Sequence, residues 1–140
     1  MVAMANQAAG YSGTPLWKKL GFKTGMKVCV VNPPAQYDDL LADGPNDWIR
    51  VASPKACDAI HLFIVDQNKL GEITKLSKHL PPAIMLWISW PKKTSGLSKG
   101  LSEDDIRRAA LACGLVDIKV CAVDADWSGL KLTRRKNLKE

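Results

Sequence analysis

Ala83-Ile84-Met85-Leu86-Trp87-Ile88-Ser89-Trp90 is apolar on both of the faces that a strand's alternation creates. Such a run belongs to a strand covered on two sides, as in a parallel sheet flanked by helices, and it is far shorter than the roughly 20 residues a membrane-spanning helix needs. It is therefore predicted to be the central strand of an α/β domain. The neighbouring sequence agrees. Ile60 to Val65 reads as another apolar strand, and Leu70, Ile73, Leu76 and Leu80 then recur at helical spacing with Lys and Ser on the other side. Beyond the run, Ser102 caps a helix whose first turn carries Glu103, Asp104 and Asp105, matched to its positive end. Ile106, Ala109, Ala110 and Cys113 share one face of it, and Gly114 supplies the stop.

Further outward, Met26 to Val31 is a β-rich run ended by Asn32-Pro33-Pro34, Tyr37 to Leu41 fits a short helix, and Trp48 to Ala52 alternates as a strand. Thr14 as cap and Pro15 at the first helical position open a short helix with Leu16, Trp17 and Leu20 as its stripe and Gly21 as its end. Residues 1–13 are small and polar and read as a flexible lead-in, which leaves 14–140 as a single domain. Near the C-terminus, Val116 to Val123 and Leu130 to Arg135 alternate and are joined by the turn residues Asp124, Asp126, Ser128 and Gly129, a hairpin pattern. The expected fold class is α/β: a three-layer, Rossmann-like arrangement with a mostly parallel sheet of five to six strands, ending in an antiparallel β-hairpin whose last strand closes one side.

The chain has 140 residues, 20 Lys+Arg against 14 Asp+Glu, a net charge of +6, 46% hydrophobic and 24% charged residues. That balance excludes a disordered, collagen-like or coiled-coil chain. The N-terminus shows no charged region followed by an apolar one, so a cytoplasmic protein with no membrane partner is expected. Cys29, Cys57, Cys113 and Cys121 are widely spaced and mostly lie in apolar segments, where free thiols are usual; neither a disulfide nor zinc is expected. His61 lies in an apolar strand and His79 near a helix end, both structural positions. No metal-ligand spacing, Gly-x-Ser-x-Gly elbow or Cys-x-x-Cys occurs, so no catalytic residue is assigned.

Open parallel sheets bind ligands outside the carboxyl ends of their strands. The segments there are Asn32-Pro33-Pro34, Ser53-Pro54-Lys55, Asp66-Gln67-Asn68, Pro91 to Gly96 and, if the hairpin's first strand runs parallel to the rest, Asp124 to Gly129. Lys92-Lys93-Thr94-Ser95-Gly96 can hold a phosphate or carboxylate by charge and exposed N–H groups, although a solvated loop guarding a sticky strand has the same composition. The candidate ligand-binding residues are Asn32, Asp66, Lys92, Lys93, Ser95, Asp124, Asp126, Trp127 and Ser128. The acidic and small residues among them are also ordinary turn formers. Lys18, Lys19, Lys23 and Lys27, with Lys131, Arg134, Arg135, Lys136 and Lys139, form two basic clusters of the kind that neutralise nucleic-acid phosphates or solvate a surface.

Gly10-Tyr11-Ser12-Gly13-Thr14-Pro15-Leu16, Ser89-Trp90-Pro91-Lys92-Lys93 and Trp127-Ser128-Gly129-Leu130-Lys131 resemble the signatures of bacterial domain-of-unknown-function family 3052 across nearly the whole chain. That resemblance implies a fold and no activity. The element order also resembles the S-adenosylmethionine-dependent methyltransferase fold, shortened by a strand–helix unit. The latter family places a glycine-rich loop after its first strand for the cofactor's methionine part and an acid after its second for the ribose hydroxyls. Here Asn32-Pro33-Pro34 and Ser53-Pro54-Lys55 stand at those places, so S-adenosylmethionine is disfavoured as cofactor. Asn32-Pro33-Pro34 resembles the Asn-Pro-Pro-aromatic motif of amino-group methyltransferases, with Tyr37 three residues beyond Pro34 instead of adjacent; paired prolines equally end a strand. The leading expectation is a non-catalytic Rossmann-like domain that binds an anionic small molecule or nucleotide through Lys92, Lys93 and Ser95, framed by Asp126 and Trp127. A divergent methyltransferase comes second, with Asn32 orienting an amine and Asp66 or Asp124 contacting the cofactor. A basic nucleic-acid or protein interaction module comes third.

Overall fold

The computed structural model describes residues 15–41, 48–78, 80 and 84–134. Its elements are α1 (Leu16–Leu20), β1 (Lys27–Val31), α2 (Tyr37–Leu40), β2 (Ile49–Val51), β3 (Ala59–Phe63), α3 (Gly71–Ser77), β4 (Met85–Pro91), α4 (Glu103–Ala112), β5 (Leu115–Ala122) and β6 (Trp127–Arg134), with single 3-10 turns at Pro54–Ala56 and Gln67–Lys69. The six strands form one sheet in the order β2-β1-β3-β4-β6-β5. β1 to β4 pair in parallel, and β6 runs antiparallel to both of its neighbours, so β5 points the same way as β4. The α/β class, the mostly parallel sheet and the interior place of the Leu86–Trp90 run are as the sequence pattern requires.

One feature of the topology differs from the pattern. β6 does not close the side of the sheet; it lies between β4 and β5. Its residues explain the position: Leu130 and Leu132 are buried on one face and Trp127 and Gly129 on the other, which calls for cover on both sides. β5 instead exposes Asp117 to Val120 and carries a register shift between Asp117 and Lys119, as suits an edge. The hairpin turn is also shorter than expected, because Ser128 and Gly129 belong to β6. Pro15 occupies the N-cap of α1, one place before the first helical residue. Thr14, His79, Arg135, Lys136, Lys139 and the lead-in over 1–13 lie outside the described residues.

The helices divide between the two faces. Ile73 of α3 and Ile106 and Ala110 of α4 pack on a mainly aliphatic layer with Ile60, Leu62, Ile64, Leu86 and Ile88. On the other face, Leu16 and Leu20 of α1 and Tyr37 of α2 meet Phe63, Trp87 and Trp127. α4 is held by a full capping box: Ser102 Oγ accepts from the Asp105 N–H at 3.2 Å, and the Asp105 carboxylate accepts from the Ser102 N–H at 3.0 Å. Among the described residues no helix is long and apolar enough to cross a membrane.

Candidate functional site

Because β1 to β5 all run the same way, the five segments singled out above emerge on one edge of the sheet, joined there by the start of β6. They form two groups. Asn32 follows β1 and Asp66 follows β3, whereas Lys92, Lys93, Ser95, Asp124, Asp126, Trp127 and Ser128 gather where β4, β6 and β5 meet that edge. The exits of β1 and β5 are four strand spacings apart, about 19 Å.

In the first group, Asn32 is exposed and left-handed, with φ 56°, a conformation that Asn tolerates. The chain then turns through Pro33-Pro34 into α2, where the Tyr37 N–H donates to Pro34 O at 3.0 Å. Asp66 caps the following 3-10 turn, its Oδ1 accepting from the Asn68 N–H at 2.9 Å. Ser53 does the same after β2, with Oγ accepting from the Lys55 N–H at 3.2 Å. The Asp66 carboxylate and the Ser53 hydroxyl are therefore each engaged in shaping their own loop.

In the second group, the Lys92 N–H donates to Asp126 O at 2.7 Å and ties the lysine loop to the hairpin tip. Ser95 Oγ donates to Lys92 O at 2.8 Å and accepts from the Leu97 N–H at 3.3 Å, so its hydroxyl sets the loop's shape. The Lys92 side chain is half-buried and Lys93 is exposed. Asp124 Oδ1 accepts from the N–H groups of Asp126 and Trp127, both at 2.8 Å, which folds the tip. Trp127 is a wall of the core: it is 3% exposed and meets Phe63 edge to face with 5.1 Å between centroids. Its indole N–H is buried and has no acceptor among the described residues. Ser128 is half-buried, opposite Trp90 on one side and Ala122 on the other.

Lys19 joins this group, although the sequence offered only its place in a basic cluster. It rides on α1, and its Nζ donates to the carbonyl of Ala122 at the β5 exit, at 3.3 Å. Burial lowers its pKa, Cys121 pulls it back up, and the charge of Lys92 lowers it again, so the two ammonium groups sense each other. Only the topology brings α1 over the end of β5.

Beneath the edge lies a buried polar chain. Tyr37 Oη is 3.0 Å from His61 Nδ1, and His61 Nε2 is 2.7 Å from Ser89 Oγ. Burial pushes His61 down to about 3, so the ring is neutral at ordinary pH and bonds one neighbour as donor and the other as acceptor. Burial also raises the Tyr37 phenol, against the opposing pull of the Arg50 guanidinium. All three side chains are buried, as the apolar context of His61 implies, and the chain pins α2 to β3 and β4. Chemically, the edge offers cations in its second group, while the imidazole of His61, fully buried beneath it, is out of reach of a ligand there. Among the described residues no cluster of His, Cys, Asp and Glu has the makings of a metal site.

No protein-family model matches the chain. No curated protein sequence matches it either. Solved structures do. A S-adenosylmethionine-dependent methyltransferase from Aquifex aeolicus superposes with a TM-score of 0.59 at 14% identity over 85% of this chain and 87% of that one. One from Thiobacillus denitrificans, in complex with S-adenosyl-L-homocysteine, gives 0.53 at 11% identity over 86% and 89%. An O-methyltransferase family 2 protein from Planctomyces limnophilus gives 0.59 at 11% identity, covering 95% of this chain and 59% of that one. At such identities the likeness is one of architecture: the chain has a Rossmann-like α/β fold of the kind found in S-adenosylmethionine-dependent methyltransferases.

Proposed function

We propose that this chain is a Rossmann-like domain that binds an anionic small molecule or nucleotide at the carboxyl edge of its sheet, and that it belongs to domain-of-unknown-function family 3052. The supporting observation is the junction of the lysine loop with the hairpin tip, tied by the Lys92 N–H to Asp126 O bond, which puts Lys92 and Lys93 together at that edge. A divergent methyltransferase is the second reading, favoured by the solved structures of that fold. Against it stand the exposed Asn32 and the prolines at the β1 exit, where a glycine-rich loop would approach the cofactor.

A thermal-shift panel separates these readings. The ligands are S-adenosylhomocysteine, adenosine monophosphate, inorganic phosphate and a single-stranded oligonucleotide, tested on the wild type and on Lys92→Ala/Lys93→Ala. A ligand at about 100 times its Kd stabilises by about 2.7 kcal/mol, enough to move the midpoint by several degrees. A shift with nucleotide or phosphate that disappears in the double variant is the expected result. A shift with S-adenosylhomocysteine alone establishes the methyltransferase reading instead, and an oligonucleotide shift that fades steeply with salt points to a nucleic-acid module. An unchanged midpoint with every ligand overturns the proposal.

A further inference from the structure

We propose that Lys119 of β5 and Lys131 of β6 form a two-cation site for a phosphate group on the α1 face of the sheet, apart from the lysine loop and the hairpin tip. The strand register carries the placement. Lys119 and Lys131 are direct cross-strand partners, and on its other side Lys131 is paired with Trp87 of β4. Trp87 faces α1, its indole N–H donating to Leu20 O, and Lys119 Nζ stands 6.0 Å from the centre of its ring. To reach that ring Lys119 leans across β6 at the level of Lys131, so the two lysines share one face and one row. Lys119 is exposed and Lys131 half-buried, which leaves the pair open to a ligand.

The irregularity in β5 creates this arrangement. Asp117 faces α4, where its carboxylate accepts from Arg107 Nε at 3.0 Å. Plain alternation would put Lys119 on that same side. The extra residue at Ile118, skipped by the register shift, turns Lys119 to the opposite face and sets it against a like charge. Like charges directly opposed on neighbouring strands destabilise a sheet. The residues flanking the pair on that face are Trp87, Cys121, Gly129 and Thr133, none of them acidic, and α1 above carries two lysines and no acid. Among the described residues neither Lys119 nor Lys131 has a carboxylate partner. The Trp87 ring draws the Lys119 ammonium without filling its N–H donors. A phosphate ester, with a charge of about −1.5 to −2 at neutral pH, offsets two ammonium groups and offers acceptors to both.

The test titrates inorganic phosphate, adenosine monophosphate and a single-stranded oligonucleotide, each into the 15N-labelled full chain, and maps the backbone amides that move. Affinity is read from those same amides in the wild type, Lys119→Glu, Lys131→Gln and Lys92→Ala/Lys93→Ala. The expected result is movement centred on residues 119–121 and 129–131, with a loss of affinity of about tenfold or more in Lys119→Glu and Lys131→Gln and none in Lys92→Ala/Lys93→Ala. Lys119→Glu gives a second readout: opposite charges across the strands raise the melting temperature of the free protein while binding falls, a combination that damage to the fold does not produce. Movement with inorganic phosphate and adenosine monophosphate identifies a phosphate ester as the ligand. Movement with the oligonucleotide alone, fading steeply with salt, identifies a nucleic-acid backbone. Movement confined to residues 92–96 and 124–127 overturns the lysine pair and leaves the carboxyl-edge reading standing, as does unchanged affinity in a folded Lys119→Glu protein. No movement with any of the three ligands overturns both. The map is made on the wild type, so it decides the matter even where a variant fails to fold.

Discussion

The two faces of the sheet are built from different materials. Under α3 and α4 the core is almost wholly aliphatic, with Trp90 its one buried aromatic residue among those described. Under α1 and α2 it holds Phe22, Tyr37, Phe63, Trp87 and Trp127, together with His61 and Ser89, the two buried polar residues among those described. The first face lies under the longest helix, fastened by its capping box, while α1 and α2 span five and four residues and have no side-chain cap. Helices that short do not persist on their own propensity, so their place depends on what they touch. The aliphatic face is thus fastened by packing and helix ends, and the aromatic face by directed contacts such as Tyr37 to His61 and the Trp87 indole N–H donating to Leu20 O at 2.9 Å. Directed contacts hold geometry more narrowly than packing does, and the hairpin tip, where Trp127 begins β6, borders the face that uses them.

Three substitutions probe that contrast. On the aliphatic face, Ile106→Ala, fully buried on α4, is expected to destabilise by about 2–5 kcal/mol in urea unfolding while leaving ligand affinity unchanged. A loss of affinity there would erase the distinction. Comparable in size is His61→Leu, which strands the hydroxyls of Tyr37 and Ser89, at about 1–3 kcal/mol for each left unsatisfied. This site also carries a pH signature. His61 is held at about 3 in the folded protein against 6.5 for the ordinary group, so the stabilisation of the neutral ring is complete above pH 6.5 and is lost as pH falls toward 3. His61→Leu should flatten stability across that window, and an unchanged profile would show that His61 is not what titrates. The smallest effect is Ser102→Ala, expected to cost about 1 kcal/mol through the lost cap of α4, read as a lowered melting temperature.

Most of the aliphatic face was legible in the sequence. Leu70, Ile73 and Leu76 announce α3 by spacing, and Ser102 to Asp105 announce α4 by cap and charge, because both signals are local. The other face was legible only in part. Leu16, Trp17 and Leu20 mark α1, but nothing local tells where a five-residue helix will dock, so Lys19 could not be tied to the β5 exit. The place of β6 was hidden for a similar reason: alternation shows that a strand is half-covered, and Trp127-Ser128-Gly129 reads as turn chemistry until the chain is folded. Gly129 is in the strand because space is short. A Cβ there would come within 3.1 Å of Val123, 3.3 Å of Trp87 and 3.4 Å of Ser89 Oγ. Of the candidate site, the parallel rule puts the lysine loop on the correct edge, whereas the hairpin tip follows only once β5 is known to run parallel to β4, and the separation of Asn32 from Lys92 requires the strand order.

The strand order also sets a schedule for synthesis. β6 is made after β5, yet among the described residues it is the only strand that β5 pairs with and the one that covers the open side of β4. A nascent chain that has emerged only as far as Asp126 therefore holds a finished parallel half with Leu86-Trp87-Ile88 along a bare flank, and beside it a β5 with no partner. Such a flank is a template for pairing with another chain. The β5–β6 hairpin forms from near neighbours and can dock as a unit, so the hazard lasts only until the last strand is released, and it falls on translation that stalls just short of Trp127.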